Sequence, residues 1–314
     1  MHTMVSPTGE QFEISGGGYR AVVVESGGAL RILEHEGRPL VDGFAEDAMP
    51  TGGRGQVLMP WPNRVRDGRY TFEGRDLQLP LSEPGRHNAS HGLVRWVAWT
   101  VEEHTPASVS LTYRLMAQTG YPWALDLHLL YDLSADGLTV THTATNLSSE
   151  PAPYAAGMHP YLTVGEPRRG RVDELELLLP GATRCLVDDE RKLPTGTEPV
   201  DGTAYDFRVS RPLRGAVLDH AFTDLLRDER GRAVVELRDP GDGSGTALWL
   251  DERHPWVQVF TGDEPDGDTY RRGLAVEPLT APADAFNSGQ GVVTLAPAGQ
   301  DGDELSASWG IWAL

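Results

Sequence analysis

The 314-residue chain is long enough to bury a sizeable core, and its 39% hydrophobic and 23% charged residues are ordinary for a globular protein. Its formal net charge is −19, which repels phosphate backbones and anionic lipid headgroups. The charge argues against nucleic acid and membrane partners, and no apolar run approaches the ~20 residues that a spanning helix needs.

The chain has one cysteine, Cys185, so no intramolecular disulfide can form, which fits a reducing compartment. Residues 1–18 contain no basic segment followed by an apolar run, so we expect no signal peptide. Together these features predict a cytoplasmic protein. Monomer and homodimer both stay open.

Glycines and prolines, 36 and 23 in number, are spread through the chain and interrupt any long helical pattern. Between them, apolar and polar residues alternate with period two, and the pattern predicts strands at residues 19–25, 29–33, 108–115, 125–129, 138–145, 175–179, 233–237, 247–250 and 256–260. Many short strands joined by turns predict an all-β antiparallel sandwich or barrel. No linker or repeat divides the chain, so we expect one domain over residues 1–314, with the acidic segment 188–201 as a surface loop.

Sequence signatures of cofactor and metal sites are missing. There is no phosphate-binding loop, no dinucleotide fingerprint, no His-Glu-x-x-His or paired-cysteine site and no nucleophile elbow. We therefore expect neither a cofactor nor a metal, and the candidates that remain are polar residues in rigid or apolar surroundings.

Three of these candidates have a simpler structural interpretation. Arg64 ends the rigid apolar segment 59–63, where a guanidinium fork can bind hydroxyls or, equally well, loop carbonyls. His91 precedes Gly92, where a ligand can approach the backbone closely, although a turn histidine at the surface is the simpler explanation. Asp219 follows an apolar pair and fits a turn cap better than a hydroxyl acceptor.

Two further candidates fit proton transfer. His159 lies in the restricted segment Gly157-Met158-His159-Pro160-Tyr161, and its near-neutral pKa makes it a natural general acid, although a buried core histidine is commoner. Glu277 is the one charge in the apolar run 274–279, where burial would raise its pKa and strengthen it as a base. A glutamate facing water on an edge strand is the alternative.

Taken together, these segments resemble the aldose 1-epimerase, or galactose mutarotase-like, family from about residue 52 to residue 287. The pieces that carry the resemblance occur in order and are Pro62-Asn63-Arg64-Val65, Gly68-Arg69-Tyr70-Thr71-Phe72-Glu73-Gly74, His91-Gly92, His159-Pro160-Tyr161, Asp219-His220-Ala221-Phe222, Ala275-Val276-Glu277-Pro278 and Asn287. The resemblance implies a large antiparallel β-sandwich, sometimes called a supersandwich.

The resemblance also implies roles. His159 looks like the acid that protonates the ring oxygen of a sugar, and Glu277 like the base that removes the proton of the anomeric hydroxyl. Residues that bind the sugar are then Arg64, His91 and Asp219, with Asn63 and Tyr161 lining the site. Local sequence alone does not choose between His91 and His159 as the acid.

The sequence does not identify the preferred sugar. Leu162 follows Tyr161 where many members have phenylalanine, and Pro160 after His159 resembles uncharacterised bacterial branches of the family. Alternatives are a hexose 6-phosphate mutarotase and a non-catalytic sugar-binding protein. The arginine pairs 168–169 and 271–272 could bind a phosphate, although solvation at the surface is the simpler explanation because the chain as a whole is acidic. A glycoside hydrolase would need two carboxylates flanking one bond and would leave the histidines without a role.

Overall fold

The structure of the protein, a computed structural model, describes residues 5–263 and 267–314. Its strands are β1 (Gln11–Gly16), β2 (Tyr19–Val24), β3 (Leu30–His35), β4 (Arg38–Pro39), β5 (Val57–Leu58), β6 (Arg64–Arg66), β7 (Arg69–Phe72), β8 (Arg75–Gln78), β9 (Asn88–Ser90), β10 (Thr100–His104), β11 (Ser108–Leu115), β12 (Leu125–Ser134), β13 (Gly137–Asn146), β14 (Ala152–Tyr154), β15 (Gly157–Met158), β16 (Tyr161–Leu162), β17 (Glu176–Leu178), β18 (Gly181–Val187), β19 (Pro194–Pro199), β20 (Arg211–Pro212), β21 (Asp219–Leu225), β22 (Ala233–Arg238), β23 (Gly245–Leu250), β24 (Trp256–Phe260), β25 (Leu274–Leu279), β26 (Val293–Leu295) and β27 (Glu304–Ala313). Helical structure in these ranges is limited to α1 (Ala285–Ser288) and the 3₁₀ turns Pro84–Arg86 and Arg171–Glu174.

Two large antiparallel sheets dominate the fold. The nine-stranded sheet has the order β10-β11-β12-β13-β27-β23-β22-β17-β20, and the eight-stranded sheet has the order β19-β18-β21-β24-β25-β15-β5, with β16 also pairing with β25. A four-stranded sheet, β1-β2-β3-β4, and the pairs β6-β9, β7-β8 and β14-β26 complete the described topology. The predicted all-β antiparallel sandwich is confirmed.

The core draws on both large sheets. One cluster of buried apolar residues extends along the chain from Phe12 to Ile311. Between the sheets, the indole Nε1–H of Trp309 on β27 points at the sulfur of Met158 on β15, with 3.2 Å between the two atoms. Each fully buried aliphatic side chain contributes about 1.5–3 kcal/mol through the hydrophobic effect, so this layer supplies most of the driving force for folding.

The eight-stranded sheet has an outer face that carries polar residues. Val257 and Val276 point into the core between the sheets. Because side chains alternate along a strand, Gln258 and Glu277 point to the opposite face, and the strand register places these two directly across from each other. Asp219 begins β21, the next strand of the sheet, opposite Phe260 of β24. Strand periodicity therefore gathers polar groups on one face.

Most predicted strands are confirmed, and one predicted loop is wrong. The segment 188–201 contains β19, which pairs with β18 at the edge of the eight-stranded sheet, while Leu193 and Val200 beside it are buried. An edge strand tolerates charged side chains because one side of it faces water, and this obscured the strand in an acidic segment. Among residues 5–263 and 267–314, no helix is long and apolar enough to cross a membrane.

Candidate active site

A cleft of about 550 Å³ opens on the outer face of the eight-stranded sheet. This volume lies in the range of small-molecule sites in proteins. The structure brings all seven residues predicted for the site to its walls, namely Asn63, Arg64, His91, His159, Tyr161, Asp219 and Glu277. Asn287 is not among the lining residues, and its amide instead donates to the carbonyl of Arg69 and the carboxylate of Asp284.

A histidine and a carboxylate meet at the floor of the cleft. His159 follows β15, and its Nε2 lies 3.3 Å from Oε1 of Glu277 at the centre of β25. Both side chains are more than nine-tenths buried. The backbone of His159 is held on both sides, because its N–H donates to Gln56 O and its carbonyl accepts from the N–H of Gly55. The pair is thus fixed between two rigid strands.

Burial moves the pKa values of this pair apart. Loss of water around the ring lowers the pKa of His159 to about 3, and the positive charges of Arg95 and Arg54 act in the same direction. Burial raises the pKa of Glu277 well above its usual value, and the nearby charge of Asp219 adds to the effect. Within the described structure, Nδ1 of His159 and Oε2 of Glu277 have no hydrogen-bond partner. Both atoms are buried polar atoms whose hydrogen-bonding capacity is unused.

Tyr161 holds the plane of the catalytic candidate His159. The two rings stack with their centroids 5.1 Å apart and an angle of 12° between them. The hydroxyl of Tyr161 donates to the carbonyl of Gly52, and the guanidinium of Arg54 lies over the tyrosine ring at 4.3 Å. Gly53 packs near the histidine ring, where a Cβ would lie 2.9 Å from Cδ2. The orientation of the imidazole is therefore set by packing.

His91 is presented as a hydrogen-bond donor. Its Nδ1 accepts from the backbone N–H of Asn63 at 3.2 Å, and burial lowers its pKa well below the usual value. A neutral imidazole that accepts at Nδ1 carries its proton on Nε2. Gly92 serves the fold, because a Cβ there would lie 1.9 Å from the carbonyl oxygen of Met59. Close approach of backbone, and not of a ligand, explains this glycine.

Two binding candidates are oriented by partners that sequence patterns did not single out. Glu83 accepts two hydrogen bonds from Arg64, at 2.8 and 3.0 Å, and so fixes the guanidinium plane. The Nε2–H of Gln258 donates to Oδ1 of Asp219 at 2.9 Å. Gln258 carries a weak signal, since it is the one polar residue in the apolar strand Trp256–Phe260, as Glu277 is in β25. Glu83 lies in a polar loop and carries none.

The arginine pairs considered for phosphate binding are engaged elsewhere. Arg271 pairs with Asp173 and Asp263, while Arg272 pairs with Asp42. Arg168 pairs with Glu174. None of the four arginines 168, 169, 271 and 272 lines the cleft, so they are not phosphate ligands of this site. In the described part of the chain, no group of three or more His, Cys, Asp or Glu residues is arranged to hold a metal ion.

Comparisons with known proteins identify the family of the chain. A family model described as aldose 1-epimerase matches residues 10–304. The Escherichia coli (strain K12) protein YihR, described as uncharacterized, is 35% identical over 292 residues, covering 92% of this chain and 89% of YihR. Galactose mutarotase of Mus musculus is 27% identical over 266 residues, covering 80% of this chain and 75% of the relative.

A solved structure shows the same fold. The GalM/aldose epimerase homologue from C. elegans superposes with a TM-score of 0.84 at 21% sequence identity, covering 97% of this chain and 98% of that one.

Proposed function

This chain belongs to the aldose 1-epimerase family, and we propose that it interconverts the α and β anomers of a free aldose by opening and reclosing the sugar ring. The observation that carries the proposal is the buried pair of His159 and Glu277, 3.3 Å apart at the floor of a cleft of sugar size.

Ring opening requires two proton transfers. In the proposed mechanism His159 delivers a proton to the ring oxygen while Glu277 removes the proton of the hydroxyl on C1. The bond between C1 and the ring oxygen then breaks, and an open-chain aldehyde forms without a free oxyanion. After rotation about the C1–C2 bond, the ring closes on the other face of the carbonyl and both proton transfers reverse.

The opposite pKa shifts work against the protonation state from which this cycle starts. Acid and base together hold one exchangeable proton, which rests on His159 before opening and on Glu277 after it. Burial lowers the pKa of His159 and raises that of Glu277, which favours the proton on the carboxyl group in the empty cleft. In the proposed cycle sugar binding therefore moves this proton from Glu277 to His159, across the 3.3 Å between Oε1 and Nε2, before the ring opens. Reclosure reverses both transfers and returns the pair to that state.

The remaining polar residues are proposed to hold the sugar. The guanidinium of Arg64 and Nε2–H of His91 donate to hydroxyl oxygens, and the carboxylate of Asp219 accepts from a hydroxyl. Asn63 and Tyr161 complete the wall. Because Glu83 and Gln258 already fix two of these groups, little conformational freedom is lost when a sugar binds.

Anomer exchange in the presence of His159→Gln and Glu277→Gln variants tests the proposal. We expect wild-type protein to accelerate the relaxation of freshly dissolved α-glucose or α-galactose, followed by polarimetry. Each variant should lose about 10²–10⁴-fold in kcat because one positioned proton transfer is removed. Glu252→Gln, on the protein surface, is the matched control and should keep the wild-type rate.

The same experiment distinguishes other activities. Wild-type rates in both active-site variants, with folding verified by circular dichroism, would show that the acid–base assignment is wrong. New reducing ends released from an oligosaccharide would indicate a hydrolase. Sugar binding without acceleration would indicate a non-catalytic binding protein.

A further inference from the structure

A second arginine faces the cleft close to the proposed acid and base. Arg95 lines the cleft wall four residues after His91. Its positive charge contributes to the lowered pKa values of both His91 and His159, which places it within electrostatic range of the floor of the cleft. No step of the proposed anomer exchange uses this guanidinium.

The backbone around Arg95 is held in place by hydrogen bonds and close packing. The side-chain amide of Gln56 donates to the carbonyl of Arg95 at 3.0 Å. Gly27, with a φ of +71°, packs so close that a Cβ there would lie 2.3 Å from the same oxygen. Gly27 N–H also donates to the carbonyl of Val97. Arg95 is therefore held at the cleft by a rigid segment.

Arg95 lacks the carboxylate that its neighbours have. Glu83 pairs with both Arg64 and Arg86. By contrast, the guanidinium of Arg95 makes no ion pair with any residue of 5–263 or 267–314. Burial lowers the pKa of Arg95. The charge of Glu83 acts on Arg95 from a distance and only partly offsets this effect. A half-buried guanidinium without a direct carboxylate partner favours an anion at this wall.

Two further features favour a charged sugar. Arg86 and Lys192 also line the cleft, although Arg86 pairs with Glu83 and three further carboxylates share the lining. Trp96 lies beside Arg95 on the wall with 50% of its surface exposed, and the guanidinium carbon of Arg95 lies 5.9 Å from the centroid of its ring. The exposed part of the ring offers an apolar surface to the C–H groups of a pyranose. The wall therefore combines a ring platform with an unpaired cation.

We infer that the substrate is an aldose with an anionic substituent, such as a phosphate, sulfate or carboxylate, and that Arg95 binds that substituent. The inference rests on the proposed function and narrows its substrate class. Arg95 acts on specificity: a guanidinium binds two oxygens of such a group in a bidentate arrangement. A neutral hexose leaves the guanidinium without its partner.

Exchange spectroscopy by NMR tests the inference, because it measures anomer exchange at equilibrium for each sugar. The panel contains glucose, glucose 6-phosphate, glucose 6-sulfate and glucuronate. For wild-type protein we expect at least one anionic sugar to have a higher kcat/KM than glucose. In Arg95→Gln the ratio of anionic to neutral kcat/KM should fall about 10- to 100-fold, mainly through KM, because a charge-assisted bond is lost.

Controls separate binding from other effects. Arg95→Lys keeps the charge and should restore part of the ratio, while Arg230→Gln, on the surface, should leave it unchanged. The ratio is measured over a pH series, since removing Arg95 also shifts the pKa of His159. Added salt should raise KM for the anionic sugar more than for glucose in the wild-type protein, a test that needs no variant.

The outcomes are distinct. Two results would overturn the inference and leave the proposed function standing. The first is that wild-type protein exchanges glucose with a kcat/KM equal to or above that of every anionic sugar. The second is that Arg95→Gln lowers kcat/KM equally for all sugars. Exchange of none of the sugars would contradict both. The anionic sugar with the highest ratio identifies which of the three groups Arg95 binds.

Discussion

Two buried histidine clusters in this protein have similar shapes and different surroundings. His142 and His254 meet edge-to-face with ring centroids 5.2 Å apart, and His91 and His159 meet in the same way at 5.6 Å. Each cluster includes a carboxylate, Asp251 in the first and Glu277 in the second. The first, called the sealed cluster because both of its histidines are fully buried, includes a partly exposed Asp251, whereas the second opens into the cleft.

Hydrogen bonds explain why the pKa values of the two carboxylates shift in opposite directions. Asp251 accepts from Nδ1 of His254 at 2.8 Å and from the backbone N–H groups of Ser308 and Arg253. Although burial opposes it, these bonds lower the pKa of Asp251. Among the described residues, the one ion-pair partner of Glu277 is His159, and burial together with the charge of Asp219 raises the pKa of Glu277. A buried carboxylate becomes a strong base where donors are withheld from it.

The largest expected effect comes from neutralising the carboxylate of the sealed cluster. Asp251→Asn loses charge-assisted bonds and should lower the free energy of unfolding by about 2–4 kcal/mol, because buried donors are left without partners. The anomer-exchange rate of the folded protein should stay within about threefold of wild type. Urea unfolding and NMR exchange measure the two quantities.

Neutralising the two carboxylates should therefore have opposite effects on stability and on activity. Glu277→Gln should keep its stability while losing activity, and the exposed Asp301→Asn should change neither quantity. A loss of more than tenfold in the exchange rate of folded Asp251→Asn would place the sealed cluster in the chemistry.

A pH series gives the next largest effect. Burial lowers the pKa of His142 and of His159 to about 3, so the unfolded chain binds more protons than the folded one between pH 6.5 and that value. Each such histidine should lower stability by about 1.4 kcal/mol per pH unit as the pH decreases below 6.5, while the raised pKa of Glu277 acts in the opposite direction. Unfolding in urea between about pH 7 and 5 measures this slope.

Substituting one histidine in each cluster shows how much that cluster contributes to the pH dependence of stability. His142→Gln should reduce the slope by one histidine's share and keep exchange activity, whereas His159→Gln should reduce it by the same share and abolish activity. An unchanged slope in both variants would mean that these histidines are protonated in the folded protein.

The smallest expected effect concerns the packing around the acid candidate. Gly53 and Gly37 both have a φ of +78°, but only at Gly53 would a Cβ approach the ring of His159. Alanine at either position should cost about 1 kcal/mol of stability through backbone strain. Gly53→Ala alone should also slow anomer exchange, by about 3- to 10-fold, because the imidazole is displaced.

Gly37→Ala is the matched control for this prediction, with thermal unfolding and NMR exchange as the measurements. Equal exchange rates in the two alanine variants would show that the ring position tolerates the added methyl group.

Much of the fold could be predicted from the sequence, because a strand with one buried face has a period-two pattern. The alternation of Leu138, Val140 and His142 with threonines predicts β13, and the structure buries all three residues. Segment 188–201 was assigned wrongly because an edge strand needs few apolar residues. Its identity depends on pairing with β18, which local composition does not reveal.

The sequence predicted which residues form the candidate site, but not which of them contact each other. Local sequence left His91 and His159 equivalent as acids, and only the structure places His159 against Glu277. Glu83 and Arg95 were missed because a polar residue in a polar loop carries no pattern. Their significance comes from distant partners, or from the lack of one.

By itself, the sequence determined the strands, their buried faces and the isolated position of Glu277 in an apolar run. These properties are local, since side-chain periodicity and hydrophobicity act within a few residues. Tertiary structure alone decided which histidine meets that glutamate, which carboxylate receives hydrogen bonds and which arginine is left unpaired. Desolvation and charge pairing are set by groups that approach from distant parts of the chain, and so they are defined only once the sheets have packed.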